Sequence, residues 1–428
     1  MRNISKLAFL IGAGTAFVAV PAVAQSSESD AAATAPEATD AGEIVVTAQK
    51  RSERLQDVPL AVTAITGEAM AARQIGDTRD LVQAVPSLTF QQATNPVASS
   101  FRIRGVGTSL FGLGTESSVA LVVDGVVSAR QAQNFTDFAD IERVEVLRGP
   151  QGTLFGKNAT AGVISVVTAR PSRELEGRVS VTVAEMDEYR ASGTISGPLG
   201  DTIGVRLTGY YNDIGGNIRN VLTDDDANRT KSWGVRGKLE WQPTDRLTLL
   251  FAGDYRTSDS NCCQSVLVKV GNPLRTLVSG PITVRADSDE IWNNDTTRVK
   301  SDQQTYSLQA DLDLGAATLT SITALQKYHL RQNGEVDAFG HARPIFISPA
   351  SAAQFDVNAG NTHIKNFTQE LRLASNGSGP FTYVLGGFYS KVSIDRYFAQ
   401  RRAVCLTGVV GQPCAAPIYQ SLASDADL

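Results

Sequence analysis

The sequence predicts an α+β domain followed by an antiparallel transmembrane β-barrel, of which about nine strands are present. Three observations carry this. From residue 177 onward, apolar and polar residues alternate with period two, which is the signature of strands with two unlike faces. The connections alternate in length, short at 198–201, 243–246, 315–317 and 375–380 and long at 214–230, 257–300 and 332–362, an asymmetry typical of outer-membrane barrels. Ahead of them, residues 141–171 hold two β-branched runs, 143–147 and 163–168, separated by Gly149, Pro150, Gly152, Gly156 and Gly162. Glycine reaches φ > 0 without steric cost, so this stretch reads as a tightly folded connector.

In chain order, residues 1–24 carry Arg2 and Lys6, an apolar run and then Ala22-Val23-Ala24. This is the pattern of a secretory signal peptide, with an apolar run too short to span a membrane well. Residues 25–42 are rich in Ala, Ser, Thr, Asp and Glu without an apolar period and read as a solvated, flexible periplasmic tether. The run Glu43, Ile44, Val45, Val46, Thr47 and Ala48 has high β propensity and stands alone. Such a strand either docks on the next domain or is offered to the sheet edge of another protein. Residues 55–171 read as a compact α/β unit, with a strand over 60–66, short helices over 68–74 and 78–85, and strands over 88–91, 101–104 and 119–123. Pro86 stops the second helix, and Asp124-Gly125 turns the last of these strands.

Residues 177–428 supply the barrel. Trp233, Val235, Leu239 and Trp241 alternate with Ser232, Arg236, Lys238 and Glu240, and Tyr306, Leu308, Ala310 and Leu312 with Ser307, Gln309, Asp311 and Asp313. Phe367, Leu371 and Leu373 alternate with Thr368, Glu370 and Arg372. One face meets lipid and the other a polar lumen. A soluble β-sandwich shares the alternation, but the signal peptide and the loop asymmetry argue against it.

Composition excludes several functions. With 42% hydrophobic and 19% charged residues and a net charge of −5, the chain is neither disordered nor built for nucleic acid. Three methionines and three histidines offer few soft or imidazole metal ligands, so no metal or cofactor is expected. Gly156-Lys157 lacks the earlier glycine and the following Ser or Thr of a phosphate loop, having Gln151 and Asn158 there. No Ser/His/Asp or HExxH arrangement supports a hydrolase, so no catalytic residue is assigned. Of the four cysteines, Cys405 and Cys414 close a short loop and are the preferred disulfide candidates. A bond between adjacent Cys262 and Cys263 would need strained geometry.

Taken together, these segments resemble the TonB-dependent outer-membrane receptors. Residues 43–48 resemble the Ton box. Val144-Glu145-Val146-Leu147-Arg148-Gly149-Pro150 with 156–162, Ile103-Arg104-Gly105 and Asp124-Gly125 resemble the plug, and residues 368–372 a barrel strand. The resemblance implies a cell outer membrane protein, in contact with outer-membrane lipid, that imports a scarce extracellular solute with energy delivered by TonB. A siderophore-type ferric complex is the leading ligand class, with saccharides, cobalamin, aromatic compounds or a signalling role as alternatives. TonB would pair with the Ton box by strand addition. Arg104 and Arg148 of the plug are expected to latch onto inward-facing Glu370 and a further acidic residue, since a buried arginine needs a carboxylate; the alternative is a Glu370 simply wetted by the lumen. A plugged barrel has about 22 strands, so the chain is expected to be part of a longer one.

Overall fold

The computed structural model describes residues 44–93, 98–108, 115–134, 137–269, 280–294, 297–335, 340, 343–346, 353–377 and 381–427. The expected signal peptide, the tether and Glu43 lie outside them.

The plug is built on one five-stranded sheet. Its strands are β3 (Val62–Thr66), β6 (Val119–Val123), β7 (Val126–Val127), β8 (Ile141–Arg148) and β9 (Gly162–Thr168), in the order β3-β8-β9-β6-β7. β6 and β9 run parallel and the other neighbours antiparallel. The central strands are apolar on both faces and therefore need cover on both. One face packs Ile65, Val144, Val146, Ile164 and Leu121 against Met70, Leu81, Phe101 and Ile103. Met70 comes from α1 (Gly67–Ala72), which Thr66 caps by accepting a hydrogen bond from the Ala69 N–H. Leu81 comes from a 3₁₀ turn, Arg79–Gln83, in place of the helix expected over 78–85. Leu147, Val163, Ala120 and Val122 form the other face, and Val46 and Ala48 pack onto it with Phe155. The isolated β run at the start of the chain thus completes the core of the plug.

The glycine-rich stretch between β8 and β9 holds one short helix, α2 (Gly152–Phe155). Gly162 has φ +154° and a Cβ there would meet the Leu147 carbonyl oxygen at 2.2 Å. Gly162→Ala is therefore expected to destabilise the plug by roughly 2–3 kcal/mol, checked by denaturant unfolding of the protein in detergent. At the β6–β7 hairpin, Asp124 and Gly125 both have positive φ, as a two-residue Asp-Gly turn requires.

Ten strands, where about nine were expected, form one antiparallel sheet. They are β10 (Glu176–Ala184), β11 (Glu188–Pro198), β12 (Ile203–Ile214), β15 (Thr230–Thr244), β16 (Leu247–Ser260), β18 (Arg298–Asp313), β19 (Ala317–Glu335), β20 (Ala353–Ser375), β21 (Val384–Val404) and β22 (Ile418–Asp427), paired in chain order. The alternation resolves as read: Trp233, Trp241, Tyr306, Leu308, Phe367 and Leu371 stay exposed on the outer face, while Lys238, Thr368 and Glu370 are buried inside. A continuous exposed apolar face on a curved sheet is the lipid-facing wall of a barrel. One long connection, expected over 332–362, is shorter, because β19 runs on to Glu335 and β20 begins at Ala353. At 23 and 21 residues, β20 and β21 far exceed the roughly 9–11 that a membrane needs, so they project beyond it at the long-loop end. The expected loop over 214–230 also contains β13 (Ile218–Asn220) and β14 (Asp225–Ala227), which join β17 (Glu290–Ile291) in a small separate sheet.

Candidate functional site

The site lies where the first described residues meet the plug and the short-turn end of the barrel. β1 (Val45–Val46) pairs antiparallel with β2 (Glu53–Arg54). The Leu55 N–H donates to the Ile44 carbonyl and the Lys50 N–H to the Thr47 carbonyl, each at 2.9 Å. Val46 and Ala48 are fully buried while Val45 is 45% exposed, so the strand shows one side to the plug and one to water. Burying the Val46 side chain contributes about 2 kcal/mol to docking.

Docking is specified by a carboxylate inside the apolar face. Glu145 of β8 is fully buried, and its Oε1 accepts from the Thr47 N–H at 2.9 Å, the Thr47 hydroxyl at 3.1 Å and Arg143 Nε at 2.8 Å. Glu145 Oε2 is buried with no hydrogen-bond partner among the described residues. An acid placed there tolerates burial only with such partners, so Thr47 is part of what keeps Glu145 satisfied. The sequence signal was available: one glutamate stands inside the otherwise apolar run Val144-Glu145-Val146-Leu147.

The second anchor reaches the barrel. Lys50 Nζ lies 3.0 Å from Glu370 Oε2, with side chains only 7% and 11% exposed, and 4.6 Å from the centre of the Phe155 ring. Arg372 also pairs with Glu370, and Arg51 donates to the Gly377 carbonyl at 3.3 Å in the following short turn. Lys50 has φ +61°, a left-handed conformation that costs a non-glycine residue on the order of 1 kcal/mol.

This geometry corrects the expected latch. Glu370 does face inward and engages the plug, but through Lys50. Arg104 is exposed at a tight turn, and Arg148, at the end of β8, donates to the Ala61 carbonyl at 3.3 Å. Arg170, at the end of the plug, pairs with Glu240 of the barrel at 3.3 Å, whereas three deeper contacts have the reverse polarity, with plug carboxylates meeting barrel donors. Asp140 accepts from Arg206 Nε at 2.6 Å and from the Thr208 hydroxyl at 2.7 Å, Asp124 lies 3.0 Å from Lys238 Nζ, and Asp137 accepts from Asn212 at 2.7 Å.

Burial pulls the Lys50 ammonium below its usual 10.5, and Glu370 restrains the fall. The undocked lysine then binds more protons than the docked one between that lowered value and 10.5, so docking tightens as pH rises through this window. A spin label at Val45→Cys is expected to become less mobile as pH rises towards 10.5.

At the opposite end, Gln92 of the plug donates to Cys262 Sγ at 3.0 Å. Cys262 and Cys263 are bonded to each other, despite the strain expected for such a pair, and Cys405 is bonded to Cys414.

Residues 54–163 match the TonB-dependent Receptor Plug Domain. The pesticin receptor of Yersinia pestis is 30% identical over 233 residues, covering 53% of this chain and 32% of its own. The ferric enterobactin receptor PirA of Pseudomonas aeruginosa is 23% identical over 338 residues, covering 68% and 45%. The matched part of the chain thus spans less than half of either relative's length. Among solved structures, the siderophore receptor PiuA from Acinetobacter baumannii superimposes with a TM-score of 0.65 at 16% identity, covering 88% of this chain and 54% of its own. The ferric yersiniabactin uptake receptor FyuA from Yersinia pestis gives 0.62 at 19%, covering 86% and 60%. The fold is that of these solved receptor barrels, and residues 54–163 carry the plug domain of the TonB-dependent receptors.

Proposed function

We propose that the protein is an outer-membrane transporter, not an enzyme, that binds a scarce extracellular solute and imports it with energy delivered by TonB. The observation that carries this is the docked strand at Val45–Val46, held at the short-turn end of the barrel by Glu145 and Glu370. A strand with one apolar edge, anchored by a few polar contacts and open to water on its other side, is suited to be released and paired with the sheet edge of another protein. Breaking these few polar contacts releases the strand, and pulling on it acts directly on the core of the plug. A siderophore-type ferric complex is the proposed solute, in keeping with the named ligands of the related receptors.

The test is uptake in a deletion strain under iron limitation, set against a panel of saccharides, cobalamin and aromatic compounds. Loss of ferric-complex uptake, restored by the intact protein and not by one lacking residues 44–48, is the expected result. Normal iron uptake with a defect on another solute would overturn the ferric assignment. Full rescue without residues 44–48 would overturn TonB-driven transport.

A further inference from the structure

Along β19, β20 and β21 the outward face changes chemistry within one residue pair. Leu325 faces Phe367 across the β19–β20 ladder, and the next outward pairs are Lys327 with Lys365 and His329 with His363. On β21, Tyr389 is followed by Lys391, which lies opposite Phe367 and diagonal to Lys365. Lys327, Lys365 and Lys391 are all exposed, and the His329 and His363 rings stack 3.9 Å apart immediately beyond them.

Like charges directly opposite on one face of a sheet repel, and a diagonal third charge adds to this. Four other outward cations on this wall have acids: Arg298 and Lys300 pair with Asp259, and Arg229 and Lys231 with Asp213. Asp302 and Asp395 lie one step further out, opposite His329 and His363. No ion pair involves any of the three lysines among the described residues.

Their height identifies the missing anion. From Leu373 to Lys365 the strand climbs roughly 27 Å, or about 20 Å along the membrane normal at the usual tilt, against an apolar band about 25 Å tall. β20 runs from the long-loop end towards the short turns, so the lysines stand at the outer margin of the lipid-facing belt, Lys327 and Lys365 one outward step beyond Leu325 and Phe367, and Lys391 one step beyond Tyr389. A cation trio at that level faces lipid headgroups, and its charge is complementary to phosphate. We propose that Lys327, Lys365 and Lys391 form a binding surface for the phosphate groups of a phosphorylated lipid of the outer leaflet. The proposal rests on the outer-membrane reading above.

The test uses the full-length protein in phosphatidylethanolamine nanodiscs doped with diphosphorylated lipid A or its dephosphorylated counterpart, with bound lipid read by native mass spectrometry. At least tenfold enrichment of the diphosphorylated form is expected for the wild type, and its loss in K327Q/K365Q/K391Q. K300Q, whose lysine already has an acid, should keep the enrichment. Equal retention of the two lipids by the wild type, or undiminished enrichment in the triple variant, would overturn the proposal. Quenching of Trp233 and Trp241 by brominated lipid, in a Trp292→Phe background, separates the two readings. Quenching without lipid preference overturns this proposal alone, whereas absence of quenching overturns it together with the membrane reading.

Discussion

Glu370→Gln is expected to free residues 44–54 from the plug, lowering the docked-to-undocked ratio by 100-fold or more. The substitution leaves Lys50 and Arg372 facing each other in a buried site with no carboxylate between them, and removing one partner of a buried pair costs about 3–5 kcal/mol. Because the segment sits at the open short-turn end, the protein escapes that cost by undocking it, and the barrel stays folded. Lys50→Met should behave differently. Glu370 keeps Arg372 as its partner, the methionine stem still packs on Phe155, and no ammonium has to be desolvated. Docking should then change by no more than about 1 kcal/mol in either direction. The double variant should recover most of what Glu370→Gln loses. Tryptic cleavage at Lys50, Arg51 and Arg54, timed in intact protein, distinguishes these outcomes: rapid for Glu370→Gln and slow at the remaining arginines for Lys50→Met.

Under the proposed transport role, Val46→Pro should cut uptake at least tenfold while leaving binding of the extracellular solute unchanged. Proline has no N–H to give to a partner strand and fixes φ near −65°, so it damages strand addition directly. It also removes a side chain that is fully buried in the plug, which loosens docking, so the two effects need separate readouts. Val46→Thr is the control: it keeps the N–H and the β-branched shape, loosens docking by on the order of 1 kcal/mol, and should retain uptake. Binding of the purified C-terminal domain of TonB to each variant reports strand pairing without transport.

Much of the fold was legible because barrel strands carry their orientation locally. The outward positions of Trp233, Trp241, Tyr306 and Phe367, and the inward position of Glu370, follow from period two alone. The lone strand at 43–48 was legible as a strand. Its docking was not, because that depends on an apolar sheet face built from residues about a hundred positions away. The identity of the latch was lost for the same reason. Lys50 and Glu370 are 320 residues apart, and no local pattern prefers Lys50 over Arg104 or Arg148. Backbone conformation decided among them, since a tight turn carries Arg104 away from the wall, while Lys50 sits on the segment that crosses to it. Glu145 left a readable trace, an acid inside an apolar strand, whose meaning appears only with Thr47 beside it.

The central claim is that the strand is held docked in the resting protein. Hydrogen exchange at the Thr47 and Leu55 amides tests it most directly, since these donate to Glu145 and to the Ile44 carbonyl. In wild-type protein reconstituted in nanodiscs without solute, both should exchange at least 100-fold more slowly than in an unstructured peptide, and Glu370→Gln should abolish that protection. Exchange of both amides at peptide rates in the resting wild type would contradict the account.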